Sequence, residues 1–221
     1  MPTVRAEQAL TGAESGPVLD LARAERGAQR DRILAATITC LARYGVAKTT
    51  LDDVAQEAGC ARATVYRYFP GKQALVLAAA DREADAIVAK TLAAGADATT
   101  LEDALVAMLT TAARQISEHP ALQLALRHEP ELVLPHLSFE GGDALLVDAG
   151  RRFGPALARF LPLDRATRLA EWCTRLLLTQ LHAQTPLSDM TDDAAVRGLL
   201  RRFVLPGLPA AATGSNAPRG R

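Results

Sequence analysis

The chain has 221 residues, 49% of them hydrophobic, with 25 basic and 25 acidic side chains, 15 glycines and 12 prolines. This balance excludes global disorder. No apolar run approaches the ~18 residues of a membrane span, and no charged start leads into an apolar stretch, so a cytoplasmic protein is expected. The overall neutrality hides a division. Residues 23–75 hold nine basic against five acidic side chains (+4), and residues 76–206 hold 13 against 17 (−4). Cys40, Cys60 and Cys173 are odd in number and widely spaced, which predicts reduced thiols rather than a disulfide framework.

Taken in chain order, residues 1–22 have no sustained period and read as a disordered tail. From Arg26 to Tyr44 the apolar residues Ile33, Leu34, Ile38 and Leu41 fall on one helical stripe, and Gly45 is placed to stop it. Thr50 followed by Asp53 predicts a capping box opening a second, short helix that ends at Gly59. A third short helix spans about Arg62 to Phe69, with Val65 and Phe69 inward, and Pro70-Gly71 breaks it. The fourth runs from Lys72 to about Ala94, ~34 Å at 1.5 Å per residue.

Beyond it, Thr100 and Asp103 cap a helix that reaches about Glu118. Pro120 opens a short one ending before Pro130, and Pro135 interrupts another apolar piece. Residues 138–161 have helical period but contain Gly141, Gly142, Gly150, Gly154 and Pro155, so a kink or break is expected there. Asp164 to Gln184 and Thr191 to Leu205 form the last two helices, and residues 207–221 a second disordered tail. Strand-like alternation is scarcely found, so the expected fold is all-α.

The segment from Leu51 to Phe69 has a helix-turn-helix frame: small Ala55 where two helices cross, Gly59 at the tight turn, and Val65 locking the second helix over the first. All three tyrosines, Tyr44, Tyr66 and Tyr68, lie in or beside it, and the string from Thr64 to Phe69 turns Arg, Thr and Tyr outward, a surface suited to phosphates and base edges. The stretch KTTLDDVAQEAGCARATVYRYFPGKQAL, Lys48 to Leu75, resembles the signature of the TetR family of bacterial transcriptional regulators. A Thr pair before the second helix, the Ala-Gly turn, the Thr-Val-Tyr-x-Tyr-Phe helix and a Lys opening the fourth helix stand in register. The resemblance implies that Thr49, Thr50, Tyr66, Tyr68 and Lys72 meet phosphates. Arg62, Thr64 and Arg67 are then the residues for base edges. Lys72 adds a physical hint, because a cation at a helix N-terminus is disfavoured by ~0.3–1 kcal/mol until an anion docks beside it. Ala61 departs from the family, which more often has a capping residue there; a lost cap costs on the order of 1 kcal/mol.

The resemblance implies a helix-turn-helix DNA-binding domain (23–71) joined through the long helix to an effector-binding and dimerisation bundle (72–206). The last two helices carry more apolar surface than one protomer core needs, and Leu177, Leu178, Leu181, Val196, Leu200 and Phe203 are the expected homodimer contacts. Met108, Phe139, Phe153 and Trp172 are candidate pocket residues, with Arg175 for an acidic effector. His119, His128, His136 and His182 lack metal-site spacing, and no catalytic constellation stands out. Neither metal, cofactor nor enzyme activity is therefore expected. The expected function is a ligand-responsive regulator, a repressor on a palindromic double-stranded operator; the alternative is an architectural DNA-binding protein without a ligand switch.

Overall fold

The computed structural model describes residues 15–137, 142–182 and 189–208, which hold helices and no strand. The chain divides into two compact units, 1–82 and 83–221. In the first, α1 (Ser15–Lys48) starts well before the expected boundary, so residues 15–22 are helical rather than tail. The reason is local propensity: Leu, Ala, Glu and Arg dominate residues 19–26, and they hold the helix while remaining exposed where their side chains are described. Residues 1–14 and 209–221 lie outside the described residues. Gly45, with φ 80° and ψ 171°, breaks the regular helix one turn before its end, a conformation that suits glycine alone.

Helix α2 (Leu51–Glu57) opens on the complete Thr50/Asp53 capping box. Its end is a Schellman motif: the Cys60 amide donates to the Ala55 carbonyl (3.0 Å), the Gly59 amide to Gln56 (3.1 Å), and Gly59 takes φ 62°. Helix α3 (Arg62–Tyr68) follows, with Ala61 at its N-cap making no side-chain bond. Ile33, Leu34 and Cys40 of α1, Val54 and Ala55 of α2, and Val65 with Phe69 form one buried cluster, joined by Leu75 and Ala79 from α4 (Lys72–Gly95). Because these two residues belong to the first core, the division between units falls inside α4.

The second unit has its own core, built from α5 (Leu101–Ser117), α8 (Gly142–Leu157), α9 (Leu163–His182) and α10 (Asp193–Leu199). Between α5 and α8 lie α6 (Pro120–His128) and α7 (Pro130–Leu137). Pro135 does not interrupt α7, which continues through it. Nor does α8 break at its glycines. A Cβ on Gly150 would stand 2.9 Å from Thr167 Cγ2, and one on Gly154 2.7 Å from Thr167 Oγ1 and 3.1 Å from the Thr167 Cα. These glycines let α8 lie against α9 backbone to backbone, and that packing offsets their weak helix propensity. After α10 the chain widens into a π-helical turn (Leu200–Val204), followed by a 3-10 turn (Leu205–Gly207).

Polar contacts tie the body together. Arg197 meets Glu102 (2.6 Å) and Asp103 (2.8 Å), Arg201 meets Glu102, and Arg114 meets Asp193. Arg152 pairs with Asp85 and Asp148, and Arg159 donates to the Gly95 and Ala96 carbonyls that end α4.

Candidate nucleic-acid interface

Val65 is fully buried, so the residues flanking it on α3 are turned outward: Arg62, Tyr66 and Arg67 are exposed, and Thr64 and Tyr68 half-buried. Arg62 is the most constrained of them. Its Nη1 donates to Asp52 Oδ2 at 2.7 Å, its Nη2 to the Tyr66 hydroxyl at 3.2 Å, and its guanidinium carbon lies 5.4 Å from the centre of the Tyr66 ring. Arg67 lies over the Tyr68 ring in the same manner, at 5.5 Å. Arg43 faces Glu57 at 3.5 Å and lies over Tyr44. Aromatic faces hold these guanidiniums by cation–π attraction and leave N–H groups for a further acceptor.

Three residues expected at phosphates make bonds within the protein. Thr49 is buried, and its hydroxyl donates to the Gly45 carbonyl at 2.7 Å, closing the end of α1. It is therefore a structural residue. The Thr50 hydroxyl donates to Asp53 Oδ2 (2.6 Å) and accepts from the Asp53 amide (3.2 Å), while the Thr50 amide donates to the same carboxylate (2.8 Å). These bonds hold the Asp53 carboxyl below the usual carboxylate range, the Thr50 hydroxyl having the largest effect. A carboxylate fixed there repels phosphate, so Thr50 serves α2 as its cap. Lys72 Nζ donates to the Ala47 carbonyl at 2.8 Å. Its ammonium thus sits at the C-terminal end of α1, where a cation is favoured by ~0.3–1 kcal/mol. This accounts for a lysine opening α4 without any anion, and it leaves two ammonium hydrogens for one.

Asp52 went unnoticed in the sequence reading. It stands ten positions before Arg62 with a turn between them, so no helical period connects the two, and only the crossing of α2 and α3 makes them neighbours.

In the body, Met108 is core, packed against Gly95. Phe153 packs on the same core from α8. Trp172 is 47% exposed and Arg175 is exposed, so neither lines the interior; Phe139 lies outside the described residues. Of the expected dimer contacts, Val196 and Leu200 are fully buried in the protomer core and cannot meet a partner. Leu177 and Leu178 are half-buried, Phe203 is 70% exposed, and the side chain of Leu181 is outside the described residues. His119 caps α6 through Nδ1, which accepts from the Leu122 amide, and its Nε2 lies 3.4 Å from Glu83. Among the described residues no group of three His, Cys, Asp or Glu side chains gathers to hold a metal, and no helix is long and apolar enough to cross a membrane.

Comparison with known proteins agrees with this geometry. Residues 33–79 match the family profile of bacterial regulatory proteins, tetR family. An uncharacterized HTH-type transcriptional regulator of Mycobacterium tuberculosis is 28% identical over 178 residues, 80% of this chain and 83% of that protein. Among solved structures, the TetR family repressor AlkX from a Dietzia strain, implicated in biodegradation of n-alkanes, shares the fold with a TM-score of 0.60 and 24% identity, over 78% of this chain and 91% of that one. SmeT, solved as a complex with triclosan, shares it with a TM-score of 0.56 and 23% identity, over 86% of this chain and 99% of its own. Residues 33–79 thus match the helix-turn-helix domain of the tetR family of bacterial regulatory proteins, and the chain is similar in sequence to an HTH-type transcriptional regulator and in fold to a TetR family repressor, DNA-binding proteins rather than enzymes.

Proposed function

We propose that this regulator is a repressor acting in the cytoplasm: a homodimer on a palindromic operator, released when a small apolar effector occupies the body. The observation that carries the DNA side is the exposed Arg62, Tyr66 and Arg67 surface of α3, held rigidly by the buried Val65 beneath it. Residues 23–71 then act as the DNA-binding domain and residues 72–206 as the effector and dimerisation domain. Two recognition helices of a dimer read half-sites about one helical turn, ~34 Å, apart or a multiple of it.

Support for an effector comes from Thr91 of α4, 3% exposed, whose hydroxyl has no hydrogen-bond partner. Thr37, Thr39, Thr167 and Thr174 all donate to the carbonyl four residues back. The equivalent carbonyl for Thr91, that of Ile87, accepts from Gln115 Nε2 instead. A buried hydroxyl without a partner costs ~1–3 kcal/mol, which a ligand oxygen or nitrogen would offset. AlkX and SmeT, with their alkane and triclosan associations, favour the same apolar kind of effector here. For the dimer, the outward Trp172 and half-buried Leu177 and Leu178 of α9 offer the apolar face.

A titration on selected palindromic and random duplexes tests the DNA reading. Log affinity falls linearly with log salt, Tyr68→Phe and Lys72→Ala weaken all duplexes alike, and Arg62→Ala or Thr64→Ala relax preference at single bases. Affinity that ignores salt would refute it. Effector candidates are those that raise the thermal midpoint and release the duplex. Thr91→Val should remove the response and leave DNA affinity unchanged. Light scattering of Trp172→Arg tests the interface.

A further inference from the structure

Asp52 and Arg62 form an ion pair between two side chains that are 59% and 57% exposed. An exposed pair of this kind contributes ~0–1 kcal/mol to stability, whereas immobilising a long Arg side chain costs up to ~2 kcal/mol of rotamer entropy. Fold stability is therefore a poor account of it. What the pair does do is restrict a guanidinium at the first position of α3. Nη1 is held by the carboxylate and Nη2 by the Tyr66 hydroxyl, with the Tyr66 ring close beneath. Both holding groups belong to the helix-turn-helix itself, and both leave other N–H groups of the fork open.

Guanine is read by two parallel N–H donors aimed at O6 and N7. A fork already fixed in the free protein loses little further freedom on reaching that base, and fixing a group beforehand raises affinity for the one geometry it fits. The same carboxylate acts in the opposite sense on the DNA backbone. Asp52 lies in the first turn of α2, where its charge repels phosphate and lowers affinity for sequences that offer Arg62 no guanine. Both effects widen the gap between the right and wrong sequence.

We propose that Asp52 is the positioning residue for sequence readout: it holds Arg62 for a guanine at the base step facing the first turn of α3. This rests on the reading of α3 as the DNA-contacting helix. The test uses the full chain. Duplexes are selected from a random pool, and the selected site, the same site with each guanine replaced in turn, and a random duplex are titrated with wild type, Asp52→Ala, Arg62→Ala and the double variant. Wild type should prefer one guanine by about 5- to 150-fold, the range that a bidentate Arg supplies. Arg62→Ala should abolish that preference. Asp52→Ala should cut it at least threefold while random-duplex affinity holds or rises, and the double variant should match Arg62→Ala. Asp52→Glu, keeping the charge on a longer arm, should restore part of the preference. An unchanged guanine preference in Asp52→Ala, or an equal loss on every duplex, would overturn the assignment. So would a selected site in which no guanine depends on Arg62. Failure of wild type to bind any duplex would instead sink the DNA reading itself.

Discussion

In the helix-turn-helix unit the chain turns on bonds between near neighbours: Thr50 with Asp53, Gly59 with Gln56, Cys60 with Ala55. In the body, local caps at Thr100, His119 and Asp192 are joined by contacts from far along the chain: Gly154 against Thr167, Arg114 to Asp193, Arg201 to Glu102. The first kind of bond is written in short sequence signals, and the second is not. Caps, a left-handed glycine and a two-residue break define α2 and α3 before any packing is considered. Nothing within residues 138–161 says whether Gly150 and Gly154 end a helix or admit a neighbouring one. The answer lies in α9.

That contrast can be tested most severely at Leu200. As a core residue of the body, Leu200→Ala should cost about 2–5 kcal/mol, and the lowered thermal midpoint should shift equally at every protein concentration. A loss that grew on dilution would return Leu200 to a subunit interface. Next comes the α8 seam. Gly154→Ala puts a methyl into the Thr167 backbone and should cost about 1–3 kcal/mol, measured by chemical denaturation. Gly198→Ala in α10, where a Cβ meets nothing within 4 Å, should stabilise by up to about 1 kcal/mol. Equal signs for the two would mean that helix propensity, not packing, governs the body as well.

In the first unit the corresponding loss is local. Thr50→Ala removes the capping box and should cost about 1 kcal/mol, seen as faster hydrogen exchange confined to α2 and its neighbours. Acid should act more weakly again, and more on the body. Hydrogen bonds from Arg201 and Arg197 hold the Glu102 carboxyl below its usual range, bonds from Thr100 and Arg197 do so for Asp103, and the Thr191 hydroxyl and amide for Asp189. In the first unit Asp53 is held down in the same way. A depressed carboxylate contributes stability above its unfolded pKa, near 4, and loses it as pH falls through the folded value. The thermal midpoint should therefore stay level from pH 7 to about 5 and drop below pH 4, with 1 M salt shrinking the drop. Smallest is Phe203→Ser, expected to change protomer stability by less than about 0.5 kcal/mol because the ring is 70% exposed.

The sequence thus showed the all-α fold and the helix-turn-helix segment through signals between near neighbours, and it misjudged the start of α1 and the continuity of α7 and α8. It misplaced Thr49, whose buried hydroxyl donates to the Gly45 carbonyl, and Val196 and Leu200, whose stripe lies in the protomer core. It had no means of finding Asp52, which becomes Arg62's neighbour only when α2 and α3 cross. For Lys72 it identified an anomaly and had no means of finding the Ala47 carbonyl, which comes from a helix that ends 24 positions earlier.

The π-helical turn at Leu200–Val204 is where that stripe changes phase. In a regular helix the residue seven after Val196, Phe203, would lie on Val196's face. A turn closed between Leu205 and Leu200 holds one residue more, and the inward position passes to Val204, which is buried, while Phe203 turns out. The fold has in effect performed a reading-frame shift in three dimensions. Deleting one residue from this turn would restore the frame and exchange the fates of a phenylalanine and a valine, so the length of this short segment decides whether the helix end shows solvent an aromatic ring or hides it.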